Sequence, residues 1–67
     1  MYFIDVLLPI PLQQAFTYHV SEEQAHLLEI GMRVAIPFGK TKIYTGIVIK
    51  VHKDPPPAYE TKSIDQI

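Results

Sequence analysis

The run Met32-Arg33-Val34-Ala35-Ile36-Pro37-Phe38-Gly39-Lys40, MRVAIPFGK, and the run that follows it, Ile43-Tyr44-Thr45-Gly46-Ile47-Val48-Ile49-Lys50-Val51, IYTGIVIKV, decide the fold class. Both alternate with the two-residue period of a strand. Met32, Val34, Ile36 and Phe38 line one face of the first, and Ile43, Thr45, Ile47, Ile49 and Val51 line one face of the second. Pro37 cannot donate to a sheet ladder and belongs at a strand end or a sheet edge. Gly39 supplies a backbone conformation that other residues resist, so the two mark a turn between strands. Gly46, inside the longer run, signals a bulge or a close approach of another backbone. A turn accounts for Pro37 and Gly39 but leaves the aromatic Phe38 and the cation Lys40 on either side of the glycine unexplained.

Working outward, Tyr2, Ile4, Val6 and Leu8 alternate with Phe3, Asp5 and Leu7, a strand that Pro9 and Pro11 stop. Phe16-Thr17-Tyr18-His19-Val20 is a second short strand, with Phe16, Tyr18 and Val20 on one side and Thr17 and His19 on the other. Ser21-Glu22-Glu23-Gln24 fits a capping box, and AHLLEI supplies one or two helical turns before Gly31 ends them. Asp54-Pro55-Pro56-Pro57 reads as a stiff polyproline-like loop, after which Lys62 to Ile67 returns either as a last strand or as the start of a helix. The expectation is an all-β domain over residues 1–67: a small curled antiparallel sheet or partly closed, OB-like barrel with one short helical turn.

Composition narrows the function classes. A chain of 67 residues buries only about 60% of the surface it exposes when unfolded. Without cysteine it has no disulfide or thiolate metal site, so the 48% of apolar residues must form the core. No apolar stretch is long enough to cross a bilayer, and Asp5 interrupts the N-terminal run where a signal peptide would be continuous, so the chain reads as soluble with no membrane partner. Six basic and seven acidic side chains give a net charge of -1, which argues against a domain that grips nucleic acid through a broad basic face; any nucleic-acid contact would have to be local.

His19, His26 and His52 fall on three different elements without ligand-like spacing, which argues against a metal site. The sequence contains no phosphate-binding loop, nucleophile elbow, HExxH motif or conspicuous carboxylate pair, so the chain reads as non-catalytic and without a cofactor of its own. Lys50, His52 and Lys53 fit ordinary protection of a strand edge better than a cationic site. Phe16 begins its strand directly after a loop, where one ring edge can remain accessible for stacking on a base.

The order of the motifs carries more than any one of them. Val6-Leu7-Leu8-Pro9-Ile10-Pro11-Leu12 is followed by Phe16-Thr17-Tyr18, then by Gly31-Met32-Arg33-Val34 through Pro37-Phe38-Gly39-Lys40, by Tyr44-Thr45-Gly46-Ile47-Val48, and finally by Lys62 before a short apolar segment. In this succession the chain resembles, over nearly its whole length, the N-terminal DNA-binding domain of the replication-restart helicase PriA. The resemblance implies a module that binds the 3-prime end of the nascent leading strand at stalled forks, without sequence preference. It implies a pocket for the terminal nucleotide built from Phe16, Thr17, Gly39 and Lys62, with Tyr18 and Lys40 as rim contacts. Gly39 would admit the nucleotide without a side chain in the way, and Phe38 would anchor the turn in the core. The chain departs from the family at Thr17, where an acidic residue is common and a hydroxyl is the weaker acceptor.

By the same resemblance, residues 1–67 are the N-terminal module of a longer, ATP-dependent 3-prime to 5-prime helicase that carries the ATP and zinc sites. Its partners would be branched fork DNA, other primosome proteins and single-strand-binding protein, in the bacterial cytoplasm at the nucleoid. The rival reading is an SH3-like interaction or structural barrel without a DNA role, in which the Phe38-Gly39-Lys40 turn is only a turn.

Overall fold

The computed structural model describes residues 1–11, 14–56 and 60–67. Leu12, which closes the first motif, and Pro57, which ends the polyproline-like run, lie outside the described residues. The elements follow as β1 (Tyr2–Leu7), β2 (Phe16–Val20), α1 (Glu22–Leu27), β3 (Arg33–Phe38) and β4 (Lys42–His52). All three strand pairings are antiparallel, and the sheet order is β2-β1-β4-β3. The sheet curls into a half-barrel, as the alternating runs predict. No helix among the described residues is long and apolar enough to cross a membrane.

β4 holds the sheet together because its two halves have different partners. Its first half pairs with β3, from Phe38↔Lys42 to Arg33↔Ile47, and its second half pairs with β1, from Leu7↔Ile47 to Phe3↔His52. The β1 pairing shifts register between Asp5↔Lys50 and Val6↔Val48, leaving Ile49 as the extra residue of a bulge. A bulge bends its strand and increases the local twist, which is how an 11-residue strand can serve two neighbours on a curled sheet. It also reverses the side-chain phase. Tyr44 and Val48 pack inward before it and Val51 packs against the core after it, while Ile43, Ile47 and Ile49 remain exposed. The face that alternation assigns jointly to Ile43, Thr45, Ile47, Ile49 and Val51 is therefore split at the bulge.

Gly46 answers to the other half of its signal, a close approach. A Cβ there would collide with Val6 Cγ1 and lie 3.1 Å from the Leu7 carbonyl oxygen, so the crossing of β1 over β4 has room for hydrogen only. Ile4, Val6, Tyr18, Val20, Val34, Ile36 and Val48 fill the half-barrel, and Ala25, Leu28 and Ile64 cap it. The helix begins with the expected capping box. Gln24 N–H donates to Ser21 Oγ and Ser21 N–H donates to Gln24 Oε1, both at 3.0 Å. It ends at Leu27, earlier than the glycine; Gly31, at φ +96°, instead turns the chain into β3 and donates its N–H to Val48 O at 2.7 Å.

The terminal segment forms neither a regular strand nor a helix. It makes two single bridges, His19↔Ser63 parallel and Ala35↔Gln66 antiparallel. His19 N–H donates to Lys62 O at 3.0 Å, Ala35 N–H donates to Gln66 O at 2.6 Å, and Asp65 N–H donates to Ala35 O at 2.7 Å. Between them Ile64 is buried in the core. β2 and β3 are the two outer strands of the sheet, so this segment joins its two edges.

Candidate nucleic-acid interface

The adjacent Phe16 and Thr17 meet Gly39 and Lys62, distant in sequence, at one pocket of about 170 Å³. Among the described residues, Tyr18, Pro37, Phe38 and Glu60 also line it. The pocket wraps the edge of β2: Phe16 and Tyr18 come from the core-facing side of that strand, Thr17 from the opposite side, and the end of β3 and the terminal segment close it.

Phe38 now has a role. Its ring lies edge-on to Phe16, with centroids 5.2 Å apart and planes at 80°, and leans on Tyr44 at 5.7 Å. Both phenylalanines are only partly buried; Phe16 packs against the core, Phe38 leans on Phe16 and Tyr44, and together they form an apolar wall of the pocket. Gly39 takes φ +68°, in the left-handed region, and an added Cβ would meet nothing within 4 Å. The glycine is thus required by backbone conformation and not by crowding within the chain. Its bare carbonyl accepts a hydrogen bond from Lys62 Nζ at 3.1 Å, which holds the ammonium over the turn. An ammonium has three donors, so Lys62 can bind a ligand oxygen and keep Gly39.

The two rim candidates separate. Tyr18 is buried beneath the pocket, donating its hydroxyl to Pro37 O at 2.9 Å and so tying β2 to β3. Lys40 follows Gly39 in the turn, exposed, and is not part of the lining. Glu60 lies in the wall although the sequence reading passed over it; an acid two residues before Lys62 was the available signal. Among the described residues of the lining, one cation and one acid stand on otherwise apolar and neutral walls, and their formal charges cancel.

Thr17 is half of a cross-strand pair with Asp5. Its hydroxyl donates to Asp5 Oδ1 at 2.8 Å, and His52 Nε2 reaches the same oxygen at 2.8 Å. The Asp54 N–H donates to His52 Nδ1 at 3.1 Å, which makes Nδ1 the acceptor nitrogen and leaves Nε2 as the one that carries hydrogen toward Asp5. His52 also stacks on Phe3, with centroids 6.0 Å apart. His19 Nδ1 pairs with Thr61 Oγ1 at 2.8 Å, fastening the start of the terminal segment to β2 beside the pocket. His26 lies edge-on to Tyr2, whose ring also carries Lys53 Nζ at 5.0 Å from its centroid. The three histidines thus take separate roles, and no group of His, Asp and Glu among the described residues could hold a metal ion.

A comparison with curated proteins and one with solved structures return no match. The family model of the PriA 3'DNA-binding domain (3'BD) matches residues 5–67. That span contains all four strands apart from the first residues of β1, together with every residue of the pocket. The family is one of DNA-binding domains, non-catalytic in themselves, and this chain, from Asp5 to its last residue, belongs to it.

Proposed function

We propose that this domain binds the free 3-prime end of the nascent leading strand at a stalled fork, without sequence preference, and there positions the motor of a replication-restart helicase. The observation that carries the reading is the convergence of Phe16, Thr17, Gly39 and Lys62 on one small pocket. A pocket of about 170 Å³ suits the terminal sugar and one edge of its base; it is too small to house a run of nucleotides. The Phe16 ring offers a stacking surface, and Lys62 and the polar atoms near Gly39 and Thr17 offer hydrogen bonds to features that every nucleotide shares. A local site of this kind needs no basic face, in keeping with a net charge of -1. An SH3-like interaction module could also use an aromatic-lined pocket, so the family match over residues 5–67, and not the pocket alone, favours DNA.

The helicase activity, its ATP and zinc, and contacts with primosome proteins and single-strand-binding protein belong in this proposal to the longer protein. Within it the domain serves as the end-reader, and the bacterial cytoplasm is where such forks occur.

The test compares oligonucleotides of one sequence that finish in a 3-prime hydroxyl or a 3-prime phosphate, together with a circular strand. The hydroxyl end should bind best. A terminal hydroxyl matched with its partners avoids the roughly 1 to 3 kcal/mol cost of an unmatched polar group, and an added phosphate meets the acid Glu60 in the lining. Equal binding of all three would reduce the site to an ordinary single-strand groove and refute the proposal.

A further inference from the structure

We infer that Lys42 is a DNA-backbone contact: the strand whose 3-prime end fills the pocket leaves it across the tip of the β3–β4 hairpin, where Lys42 meets one of the two phosphates nearest the end. The inference rests on the end-binding reading above and concerns the path of the strand outside the pocket.

The net charge of -1 conceals a segregation. Residues 33–53, which form the β3–β4 ribbon, carry five of the six basic side chains and none of the seven acidic ones. The sixth base, Lys62, is held to this ribbon through the Gly39 carbonyl at 3.1 Å. Every acid lies elsewhere, and one of them, Glu60, stands in the pocket wall on the side of the terminal segment. A polyanion held by its end is repelled on that side and drawn toward the other, so the favoured exit runs past the hairpin.

Sheet register selects Lys42 within the ribbon. It stands directly opposite Phe38 in the β3–β4 ladder, and residues opposite one another share a face of the sheet. That face belongs to the pocket. Phe38 lines it, and Tyr44, two residues beyond Lys42 on the same side of β4, packs against the Phe38 ring with centroids 5.7 Å apart. The two lysines thus flank Phe38, Lys42 across the ladder and Lys62 over the turn that follows. Lys42 is exposed, and among the described residues its ammonium makes no ion pair or hydrogen bond. Arg33 and Lys50 share the ribbon but not the place. Arg33 stands opposite Ile47 on the reverse face, and Lys50 stands opposite Asp5, beyond the bulge.

An ordinary role is also open to Lys42. Before Ile47, β4 has no strand partner among the described residues on the side away from β3, and a lysine there guards an open edge. The two roles part in solution, because only phosphate binding depends on DNA.

The experiment follows a 5-prime-labelled oligonucleotide with a 3-prime hydroxyl end binding to the 67-residue chain and its variants over a salt series. Lys42→Gln should weaken binding by at most about fivefold at low salt, the scale of an exposed charge pair. It should also make the slope of log K against log salt shallower by about 0.7, the share of one single-strand phosphate. Lys50→Gln, which removes the same charge from the same strand, should change neither. A neutral methylphosphonate is then placed singly at each of the two linkages nearest the 3-prime end. At one of them wild type should lose as much affinity as the lysine variant has lost, and Lys42→Gln should lose nothing further, the mark of a coupled pair. An unchanged slope in Lys42→Gln, an equal change in Lys50→Gln, or additive losses at both linkages overturns the inference. Self-association of Lys42→Gln with an unchanged slope assigns the residue to edge protection instead. Where wild type still prefers the 3-prime hydroxyl to a circular strand in those cases, end binding stands. A wild-type chain that binds the circular strand equally well refutes the end-binding reading, and this inference with it.

Discussion

Replacing Lys62 by glutamine tests how much of the binding is electrostatic. Lys62 is the one cation of the pocket lining among the described residues, and the exposed Lys40 follows Gly39 in the adjoining turn. Each phosphate neutralised on a single strand contributes about -0.7 to the slope of log K against log salt, so one or two contacts give about -0.7 to -1.4 for wild type. Lys62→Gln keeps donors for the Gly39 carbonyl but removes the charge, and the slope should become shallower by about 0.7. The loss of affinity should therefore shrink by about 2.6-fold on going from about 50 to about 200 mM salt. Because the Lys62 side chain is exposed, the stability change should stay within about 0.5 kcal/mol, so any loss of binding belongs to the site. Fluorescence anisotropy of a 5-prime-labelled oligonucleotide over a salt series gives both slopes. A wild-type slope steeper than about -2, or an unchanged slope in the variant, would show a different electrostatic footprint and refute the reasoning.

Two further substitutions separate fold from site. Gly46→Ala drives a methyl group into Val6 at the β1–β4 crossing and should cost about 1 to 3 kcal/mol, read in thermal or urea unfolding; an unchanged or higher midpoint would contradict the close approach. Phe16→Leu keeps an apolar group against Phe38 but removes the ring face, and should weaken DNA binding by about 1 to 3 kcal/mol while the domain stays folded; retained affinity would remove Phe16 from the stacking role.

The strands were legible because their alternation is local: Ile4 and Val6, Tyr18 and Val20, and Val34 and Ile36 each lie two residues apart and face one core. The helix start was legible for the same reason, since Ser21 and Gln24 cap each other across three residues. Alternation misplaced Val51 relative to Ile43 and Ile47 because the extra residue at Ile49 exists only in the pairing with β1, which no single strand reveals. The terminal segment was ambiguous for a related reason. Ser63 and Gln66 bridge two edges that become neighbours only after the sheet has curled. Of the site, Phe16, Thr17, Gly39 and Lys62 were reached through the order of motifs and not through periodicity, and Glu60, in no motif, was missed. The link from Thr17 through Asp5 to His52 needs the register of β1 against β2 and of β1 against β4. Neither register is written in the spacing of those residues.

The segment from Glu60 to Gln66 lies at once on the pocket and on both strand edges, and this gives it a dynamic meaning. Among the described residues its hold on the body comprises backbone bonds at His19 and Ala35, the Thr61 contact to His19, the Lys62 bond to the Gly39 carbonyl, and the buried Ile64 side chain. A segment held by few contacts can open locally at lower free energy than the whole domain unfolds. Opening withdraws Lys62 and Glu60 from the pocket in the same motion that uncovers the edges of β2 and β3, the surfaces through which sheets join from one molecule to another. On the proposed function, a DNA end held between Lys62 and β2 would bind the closed form, and mass action would then raise the closed population. Occupancy of the pocket and resistance to edge-to-edge association are therefore two readings of a single equilibrium.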